Sequence, residues 1–150
     1  MSSASSGQGS HCVIYTDGGA RGNPGPAAAG VVILADDGRV AAELSEYLGV
    51  ATNNVAEYRA LLLGLQRALD DGYRQLDICM DSELVVRQLN GAYKVKDAKI
   101  IPLYARARKL MREFDEVHVT HVRRDQNHHA DALVNAALDA QAAQRRLDES

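Results

Sequence analysis

Apolar residues in this chain fall into short β-branched runs and longer stretches of helical period, and their order predicts an architecture. Residues 11–16 (HCVIYT) form a β-branched and aromatic run closing on Asp17. A turn-rich stretch, 18–26 (GGARGNPGP), follows, which is the punctuation that ends a strand and opens a tight loop. Residues 27–34 and 40–48 read as two more strands joined by a hairpin turn at Asp36-Asp37-Gly38, so the first three strands make an antiparallel meander. Thr52 is placed to cap a helix over 55–69, which Gly72 ends. An apolar strand at 76–80 closes on Asp81, a short helix at 82–89 stops at Asn90-Gly91, and another helix occupies 102–114. Residues 117–122 (VHVTHV) form a last strand, and Asn127 caps a final helix running to about residue 140. Three strands, then helix, strand, helices, strand and helix, predict one α/β domain: a mixed sheet with helices on its faces. The domain spans 11–141, between a disordered tail at 1–10 and a frayed tail at 142–150.

Composition changes this picture little. The 150 residues, 46% hydrophobic and 25% charged, suffice for one buried core. No apolar run reaches the length of a membrane span, so no membrane association is expected. The N-terminal MSSASSGQG has neither the basic start nor the apolar stretch of a secretory signal. Cys12 and Cys79 lie in apolar strand segments and read as buried free thiols of a cytoplasmic protein. Without a coiled-coil pattern or an unexplained apolar stripe, a monomer is the expectation.

Charge changes it more. A net charge of −3 argues weakly against a nucleic-acid partner, but the distribution is uneven. Arg87, Lys94, Lys96, Lys99, Arg106, Arg108, Lys109 and Arg112 face the single acid Asp97 over 87–112, a local charge of +7. Such a cluster is the footprint a phosphate backbone selects, although a charge run is often only a solvated helix face.

Four acids stand where acids are costly. Asp17 and Asp81 each follow an apolar strand, at the edge where α/β sheets form ligand crevices; either alone also reads as a turn-former or cap. Glu57 falls on the helical line of Leu61, Gly64 and Ala68, the side that should face the sheet. Asp131 lies within about 20° of Leu138 and about 60° of Val134 on its helix. Burying ionised carboxylates beside apolar residues is unfavourable unless a cation or hydrogen bonds compensate. If these ends converge, a divalent cation resolves the repulsion, and all-oxygen ligation favours Mg²⁺ or Mn²⁺ over Zn²⁺. No Cys/His spacing supplies a zinc alternative. The cluster suits two-metal phosphodiester hydrolysis, with water activated at one ion and the departing 3′ oxygen stabilised at the other.

Four blocks, YTDGGARGNPGPAAAG, TNNVAEYRALLLGL, MDSELVVRQLNGAYKVK and HVRRDQNHHADALVNAA, resemble in order those of type 1 ribonuclease H, over residues 11 to 140. The resemblance implies an RNase H-like five-stranded sheet, three antiparallel strands then two parallel. It implies an endoribonuclease acting on the RNA strand of RNA–DNA hybrids, leaving 5′-phosphate and 3′-OH ends. It also implies that Asp17 bridges two Mg²⁺ ions, that Asp131 binds the nucleophile-side ion and that Glu57 with Asp81 binds the other. Glu57 would also accept from a ribose 2′-OH, the group that separates RNA from DNA. By the same resemblance Gly18, Arg21, Asn23, Asn53, Asn54 and Glu83 are expected to touch substrate, and Thr52 to serve a DNA-strand phosphate as well as its helix.

The chain departs from the family pattern twice. The segment NGAYKVKDAKIIP replaces the long basic protrusion that better-known bacterial members carry, so the chain resembles the compact branch. Lys94, Lys96 and Lys99 are expected to substitute in part for it, with weaker affinity for the hybrid. Double-stranded RNA, which compact relatives also attack, stays open as a second substrate. The stretch HVRRDQN is too short for the family's loop histidine. Arg124 is the preferred replacement, acting electrostatically because arginine is no general acid at neutral pH; His121, nearest in offset, reads as a strand residue. His128 and His129 are expected to face solvent. Two alternatives remain: a catalytically inactive hybrid-binding module of the same fold, and a junction resolvase or transposase relative.

Overall fold

The computed structural model describes residues 10–149, so all of the expected 1–10 tail but its last residue lies outside the described residues. β1 (His11–Ala20), β2 (Gly25–Ala35) and β3 (Val40–Ala51) form the meander, and α1 (Asn53–Asp70) leads to β4 (Gln75–Met80). Next come α2 (Glu83–Leu89), α3 (Ile101–Met111), β5 (Glu116–His121), a 3-10 turn (Arg124–Gln126) and α4 (His128–Glu149). The sheet order is β3-β2-β1-β4-β5, antiparallel across the meander and parallel from β1 through β4 to β5, the mixed sheet expected.

β1 is longer than its apolar run. It pairs with β2 from Cys12↔Ala35 to Ala20↔Ala27, but with β4 only as far as Thr16↔Met80. Asp17 therefore does not end a strand as the sequence suggested. It sits inside one, at the first step where β4 no longer runs alongside. Gly18, Gly19 and Ala20 read as a turn, yet they keep their ladder against Ala27, Ala28 and Ala29, and the loop shrinks to 21–24.

Alternate residues of each strand point to opposite faces. Cys12 and Ile14 of β1, Val31 and Ile33 of β2, and Ile78 and Met80 of β4 pack with Tyr58, Leu61 and Leu65 of α1 and with Val85, Leu89, Ala107 and Phe114. On the other face α4 lays Val134 and Leu138 against Ala28, with Tyr47 alongside. Cys12 is buried as expected and burial pushes its thiol up to about 12, whereas Cys79 is only half-buried; both are free.

Thr52 Oγ1 accepts from the Val55 amide at 3.2 Å, capping α1 as expected, though the helix begins two residues early. At its other end Gly72 (φ +86°) lets the Gly72 and Tyr73 amides reach back to Leu69 and Ala68 carbonyls. α4 overruns its expected stop near residue 140 and continues to Glu149. Residues 141–149 contain no Gly or Pro and all but Asp148 are strong helix formers, and Gln144 Nε2 donates to Asp148 Oδ1 at 3.0 Å. Ser10, placed with the tail by the sequence, accepts from Arg74 and Gln75 amides and belongs to the domain. Among the described residues no helix is long and apolar enough to cross a membrane.

Candidate active site

Two glycines seat the acid-bearing helices. An ideal Cβ on Gly18 would lie 2.2 Å from the carbonyl carbon and oxygen of Ala56 and 2.5 Å from the Glu57 amide, so β1 and α1 meet backbone to backbone. Gly30, the register partner of Asp17 on β2, does the same for α4: its Cβ would lie 2.3 Å from the Ala130 carbonyl oxygen. Each contact falls one residue before an acid, Glu57 in one helix and Asp131 in the other.

The result is a cluster. One carboxylate oxygen each from Asp17, Glu57 and Asp81 lie within 4.8 Å of one another, and Asp131 stands in hydrogen-bonding reach of Asp17. Asp17 and Glu57 are buried, with 4% and 8% of their surface exposed; Asp81 and Asp131 are half-buried. Burial first, then Glu57, Asp81 and Asp131 around it, push the Asp17 carboxyl up to about 9. Burial and the Asp81 charge push Glu57 up to about 8, against the Gly18 amide and the more distant Arg124, which pull it down. Gly18 donates to Glu57 Oε1 at 3.0 Å. With four carboxylates and no nitrogen or sulfur among them, the donor set fits hard, oxygen-seeking cations such as Mg²⁺ or Mn²⁺.

A cleft of about 300 Å³ opens over the cluster, lined by Asp17, Glu57 and Asp131 together with Arg21, Asn53 and Arg124. Arg124 comes from the 3-10 turn and is exposed. His121 is the exposed last residue of β5 and is not among the residues lining that cleft. His128 is exposed as expected, while half-buried His129 pairs with Glu43 and ties α4 to β3.

The other expected substrate residues divide. Asn23 Oδ1 accepts from the Asn53 amide at 3.0 Å and Asn53 Oδ1 accepts from the Ala20 amide at 2.9 Å, so these two side chains brace the turn against the start of α1. Asn54 is exposed in the first turn of α1. Arg21 reaches α4, where Nη2 donates to Asn135 Oδ1 and pairs with Asp139. Glu83 pairs with Arg87, which lies over the Tyr93 ring. Lys94, Lys96 and Lys99 are exposed between α2 and α3, away from the cleft lining, and of the eight clustered cations Arg108 donates to the Leu89 carbonyl.

Sequence reasoning missed Asn127, Gly30 and Asn135, the last of which lines the cleft and donates to Asp131 Oδ2. Asn127, expected to cap α4, is 1% exposed, and its Nδ2 instead donates to the Thr16 carbonyl at 2.9 Å and to Asp81 Oδ2 at 3.2 Å. Its backbone carbonyl accepts from the Asp131 amide. One amide side chain thus joins β1 beside Asp17, Asp81 itself and the start of α4. Nothing in the sequence separates this from a cap. Gly30 did carry a signal, since a lone glycine in an apolar strand marks close backbone approach.

The chain is similar to known proteins in both sequence and fold. A model of the reverse transcriptase-like family matches residues 15–137. Ribonuclease HI of Halobacterium salinarum is 47% identical over 125 residues, 83% of this chain and 63% of that protein. A bifunctional protein of Mycobacterium tuberculosis is 45% identical over 91% of this chain, which spans only 38% of it. Among solved structures, RNase H1 from Halobacterium salinarum superposes with a TM-score of 0.85 at 45% identity, covering 87% of this chain and 98% of that one. LC11-RNase H1 in complex with RNA/DNA hybrid superposes with a TM-score of 0.83 at 43% identity, covering 87% and 99%. The chain belongs to the reverse transcriptase-like family, and within it to the type 1 ribonucleases H.

Proposed function

We propose that the chain is an endoribonuclease that hydrolyses the RNA strand of RNA–DNA hybrids, leaving 5′-phosphate and 3′-hydroxyl ends. Asp17, Glu57, Asp81 and Asp131 would hold two Mg²⁺ ions, or Mn²⁺ in their place. The observation that carries this reading is Asp17, a buried carboxyl on which three others converge. Like charges so close to one another, in a water-poor place, destabilise the fold unless protons or cations are bound. The Halobacterium relative is named a ribonuclease HI, and LC11-RNase H1 was captured on an RNA/DNA hybrid.

When bound, the cations supply activation of water and stabilisation of the departing 3′ oxygen. The chain's own residues arrange the rest. Asp17 is the central acid, next to Asp131 as well as to the Glu57 and Asp81 pair. The Gly18 amide engages Oε1 of Glu57, which leaves Oε2 for a cation or a ribose 2′-hydroxyl. Asn127 donates to Oδ2 of Asp81 and so orients that carboxylate. Arg124 adds positive potential where a phosphodiester would lie. Gly18, Asn23, Thr52, Asn53, Asn54 and Glu83 border the substrate, Lys94 and Lys96 attract its backbone, and Arg21 turns toward α4. The chain works as a monomer in the cytoplasm.

The test is to incubate labelled hybrid, double-stranded RNA, single-stranded RNA and double-stranded DNA with Mg²⁺ or Mn²⁺, beside Asp17→Asn. Cleavage of the hybrid by the wild type, abolished in the variant, is expected. An intact hybrid after incubation with the wild type overturns the reading. The double-stranded RNA arm decides whether that substrate is shared.

A further inference from the structure

Asp131, Asn135 and Asp139 follow one another at intervals of four along α4, so they share one line of the helix, and that line faces the turn carrying Arg21. Asn135 Nδ2 donates to Asp131 Oδ2 at 3.3 Å and to the Asp131 carbonyl at 3.1 Å. On its other side Asn135 Oδ1 accepts from Arg21 Nη2 at 3.3 Å, and the same Nη2 pairs with Asp139 Oδ1 at 2.8 Å. Asp131, Asn135 and Arg21 all line the cleft over the carboxylates.

We propose that Asn135, oriented by Arg21 and Asp139, is a positioning residue that fixes the direction of the Asp131 carboxylate. The chemistry of the three groups sets the polarity of the chain of contacts. A guanidinium only donates, so the face of the amide turned to Arg21 must be its oxygen. The NH₂ then has to face Asp131, where it meets a carboxylate that only accepts. Asp139 in turn pins the guanidinium. Without Arg21 the amide keeps only its two donations to Asp131, and its oxygen loses the partner that holds the group from the other side. Partners of this outer kind orient a ligating acid and tune what it binds. Arg21 is accordingly assigned to the far end of this relay, rather than to a phosphate of the substrate. The relay links the glycine-rich turn to the one acid of the four that approaches the cluster through Asp17 alone.

This inference rests on the reading of Asp131 as a cation-facing acid, so Asp131→Asn sets the scale. Mn²⁺ binding is followed by calorimetry without nucleic acid, and steady-state cleavage of hybrid is followed at saturating and limiting Mn²⁺. Asn135→Ala should weaken Mn²⁺ binding roughly tenfold and lower kcat while leaving KM for hybrid in place, with kcat recovering as Mn²⁺ is raised. Arg21→Ala should show the same signature more weakly, and Arg21→Lys, which keeps a donor, should fall between it and wild type. Both side chains are exposed, and thermal melts report whether each variant is folded. Wild-type Mn²⁺ affinity and kcat in Asn135→Ala would overturn the proposal, as would an Arg21→Ala variant that changes only KM. Should Asp131→Asn itself keep full Mn²⁺ affinity and turnover, the functional reading of Asp131 fails instead.

Discussion

The Gly18 amide donates to Glu57 Oε1 at 3.0 Å across the tightest backbone contact of the site, where a single added methyl on Gly18 would sit 2.2 Å from the Ala56 carbonyl. The hydrogen bond and the contact depend on each other. Gly18 lets α1 approach near enough for its amide to reach the acid, and that bond partly offsets the burial of Glu57.

Gly18→Ala should therefore damage both stability and activity. The obstacle is backbone, which cannot rotate away, so α1 must shift as a body. A loss on the order of 1–3 kcal/mol is expected from such overpacking, with cleavage of hybrid falling further than the stability change alone explains. Thermal melts and turnover measured together check this. Gly19→Ala is the control, because the nearest atom to its Cβ is a Val134 methyl at 3.7 Å.

Asn127→Ala removes the donor shared by the Thr16 carbonyl and Asp81, leaving a buried acceptor unpaired. A cost of about 1–3 kcal/mol is expected. Asn127→Asp keeps the shape but adds a fifth acid beside Asp81, so its melting temperature should respond to added Mg²⁺ more strongly than that of the wild type. Equal responses in the two proteins would count against the placement of Asn127.

Acid–base linkage gives a third prediction, for protein stripped of metal. Folded Asp17 and Glu57 carry raised values of about 9 and about 8, so the folded state holds protons that an unfolded chain releases above roughly pH 4. Stability contributed by these two groups falls as pH climbs from there toward those raised values. Protein in chelator should melt lower near pH 8 than near pH 6, Asp17→Asn should reduce that difference, and Mg²⁺ should remove most of it. A chelated melting temperature that rises across the same interval contradicts the account.

The exposed lysines between α2 and α3 predict a salt effect. If Lys94, Lys96 and Lys99 each neutralise a phosphate, the triple Lys→Ala variant should flatten the plot of log affinity against log salt by roughly 0.7–0.9 per lysine. Binding of hybrid in Ca²⁺ measures it. An unchanged slope sinks the assignment.

Arg124 and His121 can be separated by turnover. Arg124 lines the cleft and helps hold down the Glu57 carboxyl, whereas His121 ends β5 outside the cleft lining. Arg124→Ala should lower kcat roughly tenfold, less than the roughly 10²–10³ lost with a buried donor, because Arg124 is exposed. His121→Ala should change it far less, and the reverse ranking would reassign the role.

Much of this was legible in the sequence, for stated reasons. Glu57 and Asp131 stood out because an acid on an apolar helical line is costly, and the structure places both at the cluster beside Asp17. The antiparallel meander followed from β-branched runs and the turns between them, and the five-stranded sheet from the family resemblance. The extent of β1 was not legible, because Gly18, Gly19 and Ala20 are locally indistinguishable from a turn and only their pairing with three alanines of β2 decides. Asn127 was hidden for a similar reason: a cap and a buried cross-brace use the same residue type at the same offset. The length of α4 was underestimated because exposed helix without a breaker leaves no apolar period to count.

The glycine seats at Gly18 and Gly30 make the gaps between the acids a matter of main-chain thickness, not of rotamer choice. The layers beneath can then drift in sequence, Leu61 or Leu65 exchanging with other aliphatics of similar volume, without altering the spacing on which cation geometry depends. The tolerance of the site is thus divided unequally: wide for the interior that supports it, and narrower than one methyl group at two positions that carry no side chain.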